Sequence, residues 1–301
     1  MGALQGGLTV LSSATGALLR RLVLALPIGF VAVFLLAPLA FTFVVSFWRR
    51  AGLKMVPALT LESYTSFFGG VRLLVLERSL LIAAEATAIS LIIAYPIAWF
   101  LAVKASPMAR RLVLSVITVP FLINYIVRTF AWTWLLDRNG PVNGLLLWLG
   151  FADQPISWLL YSNFAVFVGL ISSYMPFMIF PLWLAIDNID WRLHEASWML
   201  GAGPLRTFLR ITLPLSLPGV FAAAIFGFVG CFGESAVPVI MGGVGYQLVG
   251  NDITSTLDVL NYPLAAAISS VVVWVMLLLL TCWFVLFDIR AFLGKILLWR
   301  A

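Results

Sequence analysis

The stretch that decides the fold is residues 195–214, which read EASWMLGAGPLRTFLRITLP and lie between two long apolar segments. Nothing in residues 191–200 interrupts a helix, and Gly201 is a natural left-handed stop. Pro204 is tolerated in a first helical turn and begins a second helix that we expect to run until Pro214. The sequence therefore predicts a helix, a glycine corner and a second helix directly ahead of a membrane span.

Composition places the chain among membrane proteins. Hydrophobic residues make up 63% of it, charged residues only 10%, and the mean hydropathy is +1.09, which excludes a soluble globular domain of this length. A span needs about 20 predominantly apolar residues, and six are predicted, at residues 22–47, 79–103, 112–136, 158–186, 211–238 and 264–287. The first is too long for the apolar part of a signal peptide, so we expect a retained anchor. The predicted fold class is an all-α membrane protein with six transmembrane helices.

The placement of lysine and arginine predicts the orientation. Eleven of the 18 basic residues lie on connections that include both termini and the loop 187–214, six lie on the other connections, and Arg128 lies inside a span. Because basic residues accumulate on the cytoplasmic side, both termini and this loop are predicted to be cytoplasmic. The net charge of +6 therefore reflects topology, and the basic residues are too dispersed for a nucleic-acid patch.

The spacing in residues 195–214 resembles the EAA loop of the inner-membrane permease subunits of ABC importers, whose pattern is E-A-A, a glycine at plus six and I-x-L-P. Ser197 departs from the second alanine of that pattern. The resemblance implies a single transmembrane permease domain over residues 1–301 with the type I ABC importer permease fold. It also implies a set of residues that couple the permease to an ATPase: Glu195, Ala196, Ser197, Gly201, Ile211, Leu213 and Pro214.

Further motifs resemble the spermidine/putrescine-type branch of that family. They are Val119-Pro120-Phe121, Asn124, Arg128-Thr129, Ala131-Trp132, Pro181-Leu182 and Gly233-Glu234 with Pro238. The resemblance implies a bacterial inner-membrane assembly for a polyamine or related organic ion, with a second homologous permease, two ATP-binding cassette ATPase subunits and an extracytoplasmic solute-binding protein. The chain lacks G-x-x-x-x-G-K-[ST]. We therefore expect that it binds no cofactor and is not itself an enzyme, with ATP and Mg on the partner ATPase.

Ionisable residues inside spans are functional candidates, because charge at that depth is costly. Glu85 and Arg128 lie at matching depths in neighbouring predicted spans. An ion pair between them that joins two helices is favoured, and the alternative is that one of them faces the solute path. Glu234 near the outer mouth has no basic neighbour in sequence and could meet a cationic solute or be an interfacial glutamate. With the aromatic residues near Arg128, the candidate solute path comprises Glu234, Glu85, Tyr125, Arg128 and Trp132.

Other functions have less support in the sequence. A self-sufficient secondary carrier or channel is the alternative, but a carrier should show an internal repeat with paired broken helices, and the first three spans do not echo the last three. A membrane enzyme is disfavoured because one histidine, His194, and scattered carboxylates assemble no acid–base–nucleophile set. We expect His194 to be a solvated helix residue and predict no metal site. The glycine-rich residues 242–250 are predicted to form a flexible outer loop that contacts the binding protein.

Overall fold

The computed structural model describes residues 25–286, with the backbone alone at residues 120–122 and 286. The helices of this range are α1 (Ala25–Val45), α2 (Glu62–Phe68), α3 (Arg72–Val103), α4 (Pro107–Leu122), α5 (Tyr125–Leu136), α6 (Pro141–Trp148), α7 (Asn163–Asp187), α8 (Arg192–Met199), α9 (Pro204–Gly233), α10 (Ala236–Met241), α11 (Val249–Asp258) and α12 (Tyr262–Leu286). A hairpin of two three-residue antiparallel strands, β1 (Arg49–Ala51) and β2 (Lys54–Val56), follows α1. The prediction of an all-α protein is thus confirmed apart from this hairpin.

Within residues 25–286, 5 helices are long and apolar enough to cross a membrane: α1, α3, α7, α9 and α12. The third predicted span, 112–136, is not one continuous helix, because it is divided into α4 and α5 at Ile123 and Asn124. Asn124 is extended, with φ −52° and ψ 131°, and its side-chain oxygen accepts a hydrogen bond from the backbone N–H of Ile126 at 2.9 Å. Asparagine caps a new helix in this way. Counted together, α4 and α5 complete six crossings.

Several span boundaries differ from the predicted ones. The second span begins at Arg72 rather than at residue 79, and the fourth begins at Asn163 rather than 158, where the Ser162 hydroxyl accepts from the N–H of Ala165. The fifth begins at Pro204 and ends at Gly233. The predicted interruption at Pro214 is wrong. A π-turn at Phe208–Thr212 lies just before this proline, and it widens the helix where the proline ring would otherwise meet a carbonyl.

The core is formed by α3, α7 and α9. On α3, Ala94 and Ala98 are fully buried, and they belong to a cluster with Met178 and Leu182 of α7 and Ala223 of α9. Small side chains let helix backbones approach closely in a membrane, where packing rather than the hydrophobic effect drives association. The three helices therefore form a closely packed frame.

One end of this frame is held by Arg110, at the start of α4. Its guanidinium donates to the carbonyls of Leu101 and Ala102 at 3.0 and 3.1 Å, and lies 3.2 Å from the Asp187 carboxylate. These contacts bring together the C-terminal ends of α3 and α7 and the start of α4. Orphan carbonyls at helix ends need such donors. The loop 187–214 begins at this end of the frame.

Candidate functional site

The helix–corner–helix predicted for residues 191–214 is present. The Asp190 carboxylate accepts from the backbone N–H of Arg192 at 3.0 Å at the start of α8. At its other end Gly201 has φ +76°. The N–H of Gly201 donates to the carbonyl of Trp198 and that of Ala202 to the carbonyl of Ser197, at 2.9 and 3.1 Å. This pattern is a Schellman C-cap. The predicted glycine corner is therefore confirmed.

The short helix α8 has two different faces. The outward face carries Glu195 and Ala196 with several large apolar side chains, of which Met199 and Leu200 are 88% and 89% exposed. Trp191 and Trp198, also exposed, contact each other edge to face at 5.7 Å. Exposed apolar patches of this kind mark interaction surfaces.

The inward face of α8 carries His194 and Ser197, which are both buried. The His194 Nε2 shares a hydrogen bond of 2.9 Å with the Thr212 hydroxyl, and the ring stacks on Trp191 with centroids 4.7 Å apart. The Ser197 and Thr207 hydroxyls share a hydrogen bond of 2.8 Å. The expectation that His194 is solvated is therefore wrong. Burial lowers the pKa of its imidazole.

The remaining coupling candidates lie elsewhere on this unit. Ile211 belongs to the π-turn, and Leu213 and Pro214 begin the regular part of α9. All three are half-buried. They lie in the first turns of α9, residues 204–216, here called the stem, and not on the exposed surface of α8.

A second candidate site lies where the third and fifth spans are both broken. The Ile123–Asn124 interruption between α4 and α5 faces the Glu234–Ser235 interruption between α9 and α10 across a cavity of ≈ 650 Å³. The cavity is lined by residues of both breaks and of α7: Ile123, Asn124, Tyr125, Arg128, Ser173, Tyr174, Phe177, Gly233, Glu234 and Ser235. Of the candidate solute-path residues, three meet here: Tyr125, Arg128 and Glu234.

Glu234 is 8% exposed, and both of its carboxylate oxygens accept hydrogen bonds. The Tyr174 hydroxyl donates to its Oε2 at 2.7 Å, while the N–H groups of Ser235 and Ala236 donate to its Oε1 at 3.0 and 2.8 Å. Tyr174 is the twelfth of the 25 residues of α7. Glu234 therefore lies near mid-span, and the prediction of an unpartnered carboxylate at the outer mouth is wrong. Its side chain caps the helix that restarts after the break.

The other two solute-path candidates lie outside the cavity lining. Trp132 packs against the larger core cluster, and Glu85 is exposed on α3. Arg128 lines the cavity, and the break at Asn124 places its helix beside α7 and α10. The ion pair between Glu85 and Arg128 stays a prediction.

Sequence reasoning missed Tyr174, Ser173, Phe177 and Asn124 as lining residues. Tyr174 and Ser173 carry hydroxyl groups in the middle of an otherwise apolar span, which is a usable signal. Asn124 stands directly before a helix start and could have been read as an N-cap. No local pattern indicates that Phe177 faces the same cavity.

Comparison with known proteins gives this architecture a family. Residues 94–292 match the family described as "Binding-protein-dependent transport system inner membrane component". The chain belongs to this family. It is 36% identical over 259 residues to the Escherichia coli (strain K12) spermidine/putrescine transport system permease protein PotB, covering 85% of this chain and 94% of PotB. The chain is thus a permease subunit of the binding-protein-dependent ABC importers, a multi-pass inner-membrane protein and not one of the self-sufficient carriers.

Solved structures of ABC transporters have the same fold as this chain. A bacterial ABC transporter that imports the acidic polysaccharide alginate has a TM-score of 0.70 at 16% identity, covering 91% of this chain and 96% of that chain. The same kind of transporter in complex with an alginate-pentasaccharide-bound periplasmic protein has a TM-score of 0.68 at 17% identity, covering 89% and 94%. At such identities the likeness concerns the type I importer permease fold alone. The family match, and not the two broken spans, therefore decides between a permease subunit and a carrier.

Proposed function

We propose that this permease forms half of a translocation path for spermidine, putrescine or a closely related organic cation. The observation that carries the proposal is Glu234, a buried carboxylate at mid-span in a cavity with aromatic walls. The similarity to PotB over most of both chains supports the same solute class. A polyamine loses much hydration in a membrane protein, and a carboxylate and aromatic faces offset part of that cost.

The cavity carries both signs of charge, which suits a path. Glu234 attracts an ammonium group, and the Arg128 guanidinium in the same lining repels it. A path needs attraction strong enough for entry and weak enough for release. Tyr125, Tyr174 and Phe177 supply aromatic surface for the alkyl and ammonium groups. The solute would therefore pass the cavity without being retained there.

We assign Glu85 and Trp132 supporting parts in this path. Glu85 is exposed on the apolar surface of α3, between Leu81 and Ile89, which are 57% and 40% exposed. A carboxylate facing lipid is costly, so this face of α3 would adjoin a second homologous permease and the path between the two subunits. Trp132 lies one helical turn beyond Arg128 and would support the cavity wall from the core.

Coupling to ATP hydrolysis would occur through α8. We propose that its exposed apolar face, with Glu195, Ala196 and Gly201, docks in a groove of a separate ATPase that carries ATP and Mg, two such subunits serving the pair of permeases. Ile211, Leu213 and Pro214 would pass displacement of α8 into the fifth span. Both termini and α8 would be cytoplasmic, and a solute-binding protein would dock at the opposite end, where Val244 projects from the glycine loop fully exposed.

The test is reconstitution of this permease with its partner permease, ATPase and binding protein in liposomes of phosphatidylethanolamine and phosphatidylglycerol. ATP-dependent uptake of labelled spermidine or putrescine is expected, and an equal concentration of molybdate serves as the anionic control. Uptake of molybdate but not of either polyamine would contradict the solute assignment. Uptake by the permease alone, without ATPase, would contradict the importer assembly.

A further inference from the structure

The unassigned feature is the buried polar contact between α8 and the first turns of α9, here called the clasp, formed by His194 with Thr212 and Ser197 with Thr207. All four side chains are buried, with exposures of 7%, 2%, 9% and 3% respectively. The two hydrogen bonds are 2.9 and 2.8 Å long. Buried hydrogen bonds between neutral side chains fix geometry, since breaking one leaves a desolvated group without a partner.

The π-turn at Phe208–Thr212 makes the clasp possible. His194 and Ser197 are three residues apart and share one face of α8. Thr207 and Thr212 are five residues apart, and in an α-helix they would point about 140° apart, at 3.6 residues per turn. In a π-turn the backbone bonds run from residue i to i+5, so residues five apart lie on the same side of the helix. The extra residue in this turn therefore turns both threonines toward α8.

The other side of the same stem is attached to the frame. The Phe208 ring contacts the ring of Tyr95 edge to face, with centroids 5.7 Å apart. The Tyr95 hydroxyl shares a hydrogen bond of 2.8 Å with that of Ser216, which is fully buried on α9. The stem is thus bonded to α8 on one side and to α3 on the other.

We propose that the clasp makes α8 and the start of α9 one rigid body, and that His194, Ser197, Thr207 and Thr212 are positioning residues for ATP-driven transport. A push on α8 then tilts α9, which ends one residue before Glu234, instead of bending the chain at Gly201. This inference rests on the proposed docking of α8 on an ATPase. Without the clasp, the Schellman corner and the short link to Pro204 would be the connection through which force reaches the span.

The decisive experiment is a reversible cross-link in the reconstituted transporter. Ser197→Cys with Thr207→Cys places two sulfurs where the hydroxyl oxygens lie 2.8 Å apart, which suits a disulfide. Cys231 and Cys282 are first replaced by Ala. If α8 and the stem move together, the oxidised pair transports as much solute per ATP hydrolysed as the wild type, and more than the reduced pair, which lacks the Ser197–Thr207 hydrogen bond. Loss of transport on oxidation, restored by reductant, would show that α8 pivots against the stem and would overturn the proposal.

A second set of variants removes the clasp without a cross-link. Thr212→Val replaces the hydroxyl that bonds His194 by a methyl group, and Ser197→Ala removes the hydroxyl that bonds Thr207. Thr212→Ser keeps the hydroxyl that bonds His194. We expect about a fivefold fall in solute transported per ATP for each bond lost, with complex yield and ATPase retention unchanged, and recovery in Thr212→Ser. Thr281→Val is the matched control, since that hydroxyl bonds only within α12, to Leu277. If the Ser197→Ala, Thr212→Val double variant transports as much solute per ATP hydrolysed as the wild type, the proposed role of the clasp is wrong.

A separate variant tests the proposed docking of α8 on the ATPase, on which the role of the clasp depends. Leu200→Asp puts a charge on the exposed face of α8, away from the clasp, and is expected to release the ATPase from the complex. If the ATPase stays bound to this variant with full activity, the docking of α8 is wrong and the role of the clasp in coupling falls with it. If Leu200→Asp releases the ATPase while the clasp variants stay fully coupled, only the clasp is wrong.

Discussion

Tyr174 and Glu234 join the middle of the fourth span to the break in the fifth, because the Tyr174 hydroxyl donates a hydrogen bond of 2.7 Å to Glu234 Oε2. The two residues are 60 positions apart in the chain. Their contact fixes the depth of the carboxylate in the span and closes one wall of the cavity between the two broken spans. The position of Glu234 is therefore set by one tertiary contact, from Tyr174 of α7, and by two local N–H donors at the start of α10.

The first prediction concerns the charge of Glu234. Glu234→Gln keeps an oxygen that accepts from the N–H groups of Ser235 and Ala236, and it removes the negative charge. We expect uptake of a polyamine to fall roughly tenfold, equivalent to about 1.4 kcal/mol, with complex yield and binding-protein affinity unchanged. Tyr174→Phe is the companion variant: it keeps the charge and should cost about 1 kcal/mol of stability with a smaller loss of uptake. Normal uptake by Glu234→Gln would contradict a cation route past this residue.

The second prediction concerns the support of Tyr174. A Cβ added at Gly230 would overlap the Tyr174 ring. Gly230→Ala should push the ring off Glu234 and lower stability by about 1–3 kcal/mol, although alanine is the better helix former. Gly144→Ala is the control, because a Cβ there meets nothing within 4 Å. The thermal unfolding midpoint of the purified complex is measured for both variants. Equal midpoints for Gly230→Ala and Gly144→Ala would contradict the close approach of Gly230 to Tyr174.

The third prediction concerns the glycine corner. A Cβ at Gly201 or at Gly203 meets nothing within 4 Å, but only Gly201 has a left-handed φ, +76°. Gly201→Val should therefore cost about 1 kcal/mol or more and uncouple or release the ATPase, while Gly203→Val, extended and followed by proline, should be tolerated. ATPase retention and transport are measured for both. Unchanged behaviour of Gly201→Val would remove the rigid corner from the mechanism.

The fourth prediction concerns the orientation in the membrane. Reporter fusions after Lys104 and Gly203 should score cytoplasmic, and fusions after Glu62 and Asp153 should score extracytoplasmic. In the structure the first two positions adjoin the end of the frame held by Arg110, and the other two lie in connections that lead to the opposite ends of α3 and α7. The reverse pattern of reporter signals would contradict the cytoplasmic position of α8.

The fifth prediction is a pH dependence from His194. Burial lowers the pKa of its imidazole from the ordinary 6.5, so the folded chain disfavours the protonated form. Its contribution to stability should be complete above about pH 6.5 and decline as the pH falls through the lowered folded value. His194→Gln keeps a hydrogen-bonding group that does not titrate. The unfolding midpoint of the wild type should therefore fall more between about pH 7.5 and about pH 5.5 than that of the variant, and equal falls would contradict a buried neutral imidazole.

Local features of the sequence predicted much of the architecture. Apolar runs of sufficient length gave the crossings, because a membrane span is defined by length and hydropathy. The corner at Gly201 followed from one residue that adopts a left-handed φ without strain. The prediction that a helix ends at Pro214 was wrong. A proline normally ends a helix, but here the π-turn before it keeps α9 continuous.

In the candidate sites, too, local spacing predicted some residues and tertiary contacts placed the others. Spacing over 20 positions predicts Glu195, Ala196 and Ser197 as coupling residues, and the structure places the first two on the exposed face of α8 and Ser197 on its buried face. The burial of His194 was not predicted, since it depends on Thr212, which is 18 positions away and turned toward it only by the π-turn. The solute-path candidates were chosen for charge or for aromatic character near Arg128, and neither property reveals on which side of a helix a residue packs.

The sequence by itself determined the membrane class, the number of crossings, the glycine corner and the family, all of which depend on hydropathy or on residues at fixed local spacing. Only the tertiary structure decided that the third and fifth spans are broken at one cavity, that Glu234 is held by Tyr174 at mid-span, and that His194 is buried against the stem of the fifth span. The physical reason is that these contacts depend on how helices rotate and approach each other. A single helix turn of different pitch redirects the side chains beyond it, and no local pattern of residue types records that rotation.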